Sequence, residues 1–186
     1  DLNTQKVNTT GVTISLPNSD GKMESFLVWE NSNFEPALQA QNPDIRAYKG
    51  KSLVDGSTIN FSMSPEGIQT FVSRPDRGSE FIEPYTKDNS VYVLFDSKTR
   101  NAARLPFNCS TVDKKLNQDL LNNNQITNRS SVQSYKTMRL ALSCVGEYGA
   151  AHGGTFAGAL AAMNATMTRV NGVMEKDLAL HLNIIA

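Results

Sequence analysis

Ser57-Thr-Ile-Asn-Phe-Ser-Met63 and Gly67-Ile-Gln-Thr-Phe-Val-Ser73 are two extended-type runs separated only by Ser64-Pro-Glu66. Runs rich in β-branched and aromatic residues, broken by a short proline-containing turn, predict a β-hairpin. The same signature recurs on both sides. Upstream, Gly11-Val-Thr-Ile-Ser-Leu16 and Met23-Glu-Ser-Phe-Leu-Val-Trp-Glu30 flank Pro17-Asn-Ser-Asp-Gly21, with Asp20-Gly21 as the expected tight turn. Downstream, Glu80 to Glu83 and Ser90 to Phe95 flank Pro84-Tyr-Thr-Lys-Asp88. Between the first two hairpins, Phe34 to Gln41 predicts a short helix, with Asn33 as its cap and Pro43 as its stop. Regularly spaced short strands predict an antiparallel sheet domain over residues 1–96, with the single Trp29 anchoring its core.

Residues 97–134 change character. Asn122-Asn-Asn124 and Asn128-Arg-Ser-Ser131 offer little to bury, so the segment reads as a polar linker. Linkers of that kind are where proteases cut, which places an expected cleavage in the region of Asn122, Arg129 and Ser134. Residues 135–186 change again. Leu140-Ala-Leu-Ser-Cys-Val145 predicts a buried strand in which Cys144 is structural. Gly153-Gly154 and Thr155 open a long helix whose stripe is Phe156, Leu160, Met163, Met167, Val170 and Met174. Leu178-Ala-Leu-His-Leu-Asn-Ile-Ile-Ala186 predicts a second strand. Strand, helix, strand is a βαβ unit with parallel neighbouring strands, too small for a core of its own. The domain it begins reads as unfinished, and the fold class as α+β.

Composition excludes several functions. With 18 basic and 18 acidic residues the net charge is zero, which argues against nucleic-acid binding and against docking on anionic membranes. No apolar stretch is long enough to span a bilayer. Asp1 is not followed by the basic start and apolar core of a signal peptide, so the chain reads as mature after signal removal or as an excised segment. Two cysteines are too few for a disulfide scaffold.

Met138-Arg-Leu-Ala-Leu-Ser-Cys-Val-Gly-Glu-Tyr148, His152-Gly-Gly154, Ala161-Ala-Met-Asn-Ala-Thr-Met-Thr-Arg-Val-Asn-Gly-Val-Met-Glu175 and Leu182-Asn-Ile-Ile-Ala186 are similar to the opening of the catalytic domain in reprolysin-type metallo-endopeptidases of Bacteroidetes, members of the metzincins. Leu16-Pro-Asn-Ser-Asp-Gly-Lys22, Ser62-Met-Ser-Pro-Glu-Gly67 and Glu83-Pro-Tyr-Thr-Lys-Asp88 resemble the pro-segment that precedes it. The resemblance implies an extracellular zymogen: a β-rich pro-domain, a linker or latency segment over 97–134, and an incomplete βαβ start of a zinc peptidase acting on peptides or proteins. The pro-segment would keep the protease latent and assist its folding. Its partner would be the rest of the catalytic domain, in the same polypeptide or as a nicked second chain.

The family's His-Glu-x-x-His-x-x-Gly-x-x-His helix holds Zn²⁺ through histidines one turn apart, with the Glu as general base. That motif is absent from this chain. His152 and His181 are its only histidines and lie far apart, so this stretch alone is expected to be inactive. His152 reads as a helix-entry residue and His181 as a packed or solvent-facing strand residue. Relatives of venom and animal type carry a calcium-binding Glu where Arg139 falls here, which puts a calcium site in doubt.

Cys109, in Leu105-Pro-Phe-Asn-Cys-Ser-Thr-Val-Asp113, lies between sheet and catalytic start, where a thiolate could fill the open zinc position. With Arg104 upstream and Asp113 downstream, it resembles in part the cysteine switch of matrix metalloproteases, although Asn108 stands where that family has Arg. A free Cys109, a Cys109–Cys144 bridge, or a partner for Cys144 elsewhere are the competing readings. Glu147 and Tyr148 read as a surface turn. The alternative function is a secreted β-rich binding or adhesion module without catalysis.

Overall fold

The computed structural model describes residues 11–75, 78–97 and 134–185. Seven strands form one antiparallel sheet in chain order: β1 (Val12–Pro17), β2 (Met23–Glu30), β3 (Arg46–Ser52), β4 (Thr58–Ser64), β5 (Gly67–Ser73), β6 (Glu80–Pro84) and β7 (Tyr92–Asp96). The three predicted hairpins are present. In β4–β5 the pair Ser64↔Gly67 leaves only Pro65 and Glu66 in the turn, and Gly67 sits at φ +102°, where a side chain would strain the backbone. The β1–β2 turn is wider than Asp20-Gly21. Asn18 Oδ1 accepts the amides of Asp20 at 3.1 Å and Lys22 at 2.9 Å, and Gly21 N–H donates to the Asn18 carbonyl at 2.9 Å.

β3 has no counterpart in the sequence reading. Arg46-Ala-Tyr-Lys-Gly-Lys-Ser52 carries three cations and a glycine, and its pattern gives no alternation signal. The glycine has a packing reason. A Cβ on Gly50 would lie 2.4 Å from the Leu27 carbonyl oxygen and 2.6 Å from Val28 Cγ1, so β2 reaches this distance only against a bare backbone.

One face of the sheet closes over Phe26, Val28, Ile59, Phe61 and Val72, with Ile14, Leu16, Tyr48 and Ile68 at the margin. The sheet curls enough to bring β2 and β6 together on this side. Buried Arg74, just after β5, reaches Glu24 at 2.6 Å and Glu80 at 2.5 Å. Trp29 is not part of this core. It lies half-buried on the opposite face, in register with Lys49 and, through it, Asn60 and Phe71.

That opposite face carries the second unit. Parallel β8 (Lys136–Leu140) and β9 (Leu180–Ile184) are joined by α2 (Gly146–Ala151) and the long α3 (Phe156–Leu178), which is the predicted βαβ connection. Thr155 caps α3 by accepting the Gly158 amide at 3.0 Å. Ala179 ends it in the left-handed conformation at φ 51°. α3 lies against the sheet: Gly172 meets Asn60 and Phe71, and Arg169 pairs with Glu83 at 2.5 Å while covering the Phe81 ring. Leu160, Ala161, Met167 and Ile184 share one apolar cluster with Phe34, Leu38 and Ile45. Met163 and Val170 of the predicted stripe pack against that cluster, but Phe156, in the first turn, is 71% exposed.

Three further expectations are corrected. α1 (Pro36–Gln41) starts from Glu35, and Asn33 does not cap it. Asn33 is buried and turns toward α3 instead, donating to Asn164 Oδ1 at 2.9 Å and Thr168 Oγ1 at 2.8 Å. Asn171 donates to Asn33 Oδ1 at 2.9 Å and also bonds both the N–H and the carbonyl of Leu182 at 2.9 Å, as a neighbouring strand would. The first strand of the βαβ unit ends at Leu140, so Leu142, Cys144 and Val145 are exposed outside it; no described residue covers them. Glu147 and Tyr148, expected in a turn, lie in α2.

Candidate functional site

Of the residues singled out by sequence, Cys109, Asn122 and Arg129 lie outside the described residues. Ser134 is exposed just ahead of β8. Among the described residues, no three His, Cys, Asp or Glu side chains come together as a metal site. His152 closes α2, exposed, with its ring 4.5 Å from that of Tyr148. His181 is on β9 and 5% exposed. The sequence did not foresee what surrounds it.

His181 Nδ1 lies 2.5 Å from Glu175 Oε1, and Nε2 lies 3.0 Å from the Ser32 carbonyl oxygen. Both ring nitrogens thus face oxygen acceptors, one a carboxylate and one a backbone carbonyl. Glu175 Oε1 also accepts from Asn31 Nδ2 at 2.8 Å, and Oε2 from Lys49 Nζ at 2.8 Å. Burial alone would push the Glu175 carboxyl up. Hydrogen bonds from His181, Lys49 and Asn31 outweigh it and hold the carboxyl at about 2. The Tyr135 phenol beside it is pushed upward by burial and by the Glu175 charge. A Glu–His pair is half of a nucleophilic triad, but here the second ring nitrogen is occupied by a backbone carbonyl rather than a hydroxyl or thiol. The node is a fastening. It ties α3 and β9 to β3 and to the loop after β2.

This node gives a pH prediction. A carboxyl with a depressed folded-state pKa contributes stability that is full above about pH 4.5 and is lost as pH falls through about 2. Glu175→Gln is therefore expected to lower the urea midpoint most at neutral pH. Its deficit against the wild type should shrink steadily between pH 4.5 and 2. A deficit independent of pH would mean that the carboxylate charge is not what holds the node.

Beside the node a groove of about 690 Å³ runs between the C-terminal turns of α3 and the outer sheet face. It exists because the helix touches the sheet at Gly172, where a Cβ would stand 2.7 Å from Asn60 Nδ2. Trp29, Lys49 and Lys51 form part of its floor, with Thr58, Asn60 and Ser73 beside them; Glu175 and Lys176 form its wall. Lys176 Nζ donates to Ser73 Oγ at 3.1 Å. These side chains come from five elements, so no linear motif announced them. A second opening of about 380 Å³, mostly apolar, is lined by Leu142, Cys144, Val145, Tyr148, Met163 and Met167. No protein family, no curated protein and no solved structure matches the chain.

Proposed function

We propose that the chain is the pro-segment and opening catalytic segment of a secreted zinc metallo-endopeptidase, with the sheet holding the βαβ unit in an inactive precursor. The observation that carries this reading is the uncovered side of the βαβ unit. Met138 and Val145 are 50% and 67% exposed, Val145 lines the apolar opening at Cys144, and β8 pairs only with β9 among the described residues. Exposed apolar surface next to an unpaired strand edge is what further strands of the same layer would cover. The resemblance of residues 138–186 to the start of a metzincin domain supplies the identity of those strands. The described residues do not fit a catalytic zinc. In this reading the metal belongs to a histidine motif on a further stretch of polypeptide, with Cys109 as its latency ligand.

Peptide mass sequencing of the native polypeptide past Ala186 is the first test, with His-Glu-x-x-His-x-x-Gly-x-x-His as the expected find. Its absence would overturn the peptidase and leave the binding-module reading. With the motif in hand, the uncut precursor is expected to be silent on peptides and to gain activity when cut between Asn122 and Ser134. Cys109→Ala is expected to release activity before cutting. Undiminished latency in that variant would remove the cysteine ligand and leave blockage by coverage alone.

A further inference from the structure

We propose that the groove beside Trp29 is a binding site for an acidic sugar, a pyranose bearing a carboxylate. This goes beyond the zymogen reading and stands or falls without it. The first ground is charge. Lys49, Lys51 and Lys176 line the groove against the single carboxylate of Glu175, and that carboxylate is already engaged by Lys49 and His181. Lys51 is exposed and has no ion-pair partner among the described residues. The groove therefore presents a net positive wall to an anion.

The second ground is a set of polar groups left without protein partners. Asn60 lines the groove, and its side-chain amide makes no hydrogen bond to a described residue. Trp29 and Thr58 line the same groove, and neither the indole N–H nor the hydroxyl has a hydrogen-bond partner among the described residues. The Asn60 amide is not sealed from solvent, so in the free protein it bonds water that a ligand hydroxyl can replace.

The kind of anion follows from the floor. β2 to β5 are each bonded on both sides, so the groove floor offers no free strand edge on which a peptide could add itself as a further strand. What the groove offers is a flat indole, amide and hydroxyl groups from side chains, and ammonium groups at the rim. A sugar ring can lay its C–H face on the indole, pair its hydroxyls with Asn60 and Thr58, and place its carboxylate near Lys51 and Lys176. A volume of about 690 Å³ accommodates two or three such residues, within the usual range of small-molecule clefts.

Trp29 is the only tryptophan, so its emission reports on this groove alone. The chain should be titrated with trigalacturonate, with maltotriose as the neutral counterpart and triglutamate as the acidic peptide, at near-physiological salt. A saturable change in emission is expected with trigalacturonate and not with maltotriose. Lys51→Ala and Thr58→Val, both surface changes, are each expected to weaken it by about tenfold or less, the range of one hydrogen bond to or beside a charge. Three results would overturn the proposal: no saturable response to trigalacturonate, triglutamate binding as tightly as the sugar, or binding by calorimetry that leaves Trp29 emission and its dependence on Lys51 unchanged.

Discussion

Arg74→Ala is expected to cost about 3–5 kcal/mol, enough to leave the protein marginally folded or unfolded at room temperature. Among the described residues, Arg74 is the only cation reaching Glu24 and Glu80, at 2.6 and 2.5 Å, and its side chain is 1% exposed. Truncating it strands two buried carboxylates without solvent or counter-charge, and Ser57 loses its 3.3 Å contact as well. The triple change Arg74→Met, Glu24→Gln, Glu80→Gln removes the three buried charges together, leaving only the more exposed Asp55 that lies 3.5 Å from the guanidinium. It is expected to be much milder, because the cost lies in isolating buried charges rather than in losing attraction. Urea unfolding of the single and triple variants decides this. Equal losses would show that the carboxylates find water when the arginine goes, and that the curl of the sheet does not depend on the triad. The triad is not fully satisfied, since Glu24 Oε1 and Arg74 Nε have no hydrogen-bond partner among the described residues. That fits a group retained to fix geometry more than to maximise stability.

Asn33→Ala has the second largest expected effect, about 2–4 kcal/mol, and it should fall unevenly. Asn33 donates to Asn164 and Thr168 and accepts from Asn171, all buried. Its loss opens the seam between α3, β9 and the loop after β2, while the face around Phe26, Ile59 and Phe61 is untouched. Hydrogen exchange is the suitable probe. Amides of α3 and β9 are expected to exchange about tenfold faster or more, with those of β2 to β5 little changed. Asn33→Asp keeps the acceptor for Asn171 but cannot donate to Asn164 or Thr168, and should reproduce most of the effect. Uniform acceleration across the whole chain would mean that sheet and helix unfold as one body and that the seam is not a separable joint.

The hairpins were legible because their signals are local: a run of β-formers, a turn residue, another run. β3 was hidden because its residues answer to neighbours and not to a pattern, with Gly50 set by the Leu27 carbonyl and Lys49 by Glu175. The long helix was legible from its apolar stripe, yet half of what fixes it is polar. Hydropathy assigns Asn164, Thr168 and Asn171 to the surface, and only the tertiary arrangement shows that each has a buried partner. Cys144 reads as buried because it sits in the apolar run Leu140–Val145, but burial needs a covering layer, and Cys144 is exposed. The Glu175–His181 node and the Trp29 groove were illegible for a plainer reason. They assemble from β2, β3, β4, β5, α3 and β9, and no spacing along the chain encodes that convergence.

The strand order of the large sheet also sets a timetable. Every neighbour in β1 to β7 is the next strand along the chain, so each pairing closes a short loop and the sheet has a low contact order. The side-chain contacts that seat α3 on the sheet and its loops span 86 to 144 residues. A chain made from its N-terminus completes the meander before the helix has been synthesised. The sheet then meets the newly made helix as a finished surface, carrying Asn33, Glu83 and Lys49 in place, and α3 with β9 is selected by a template older than itself.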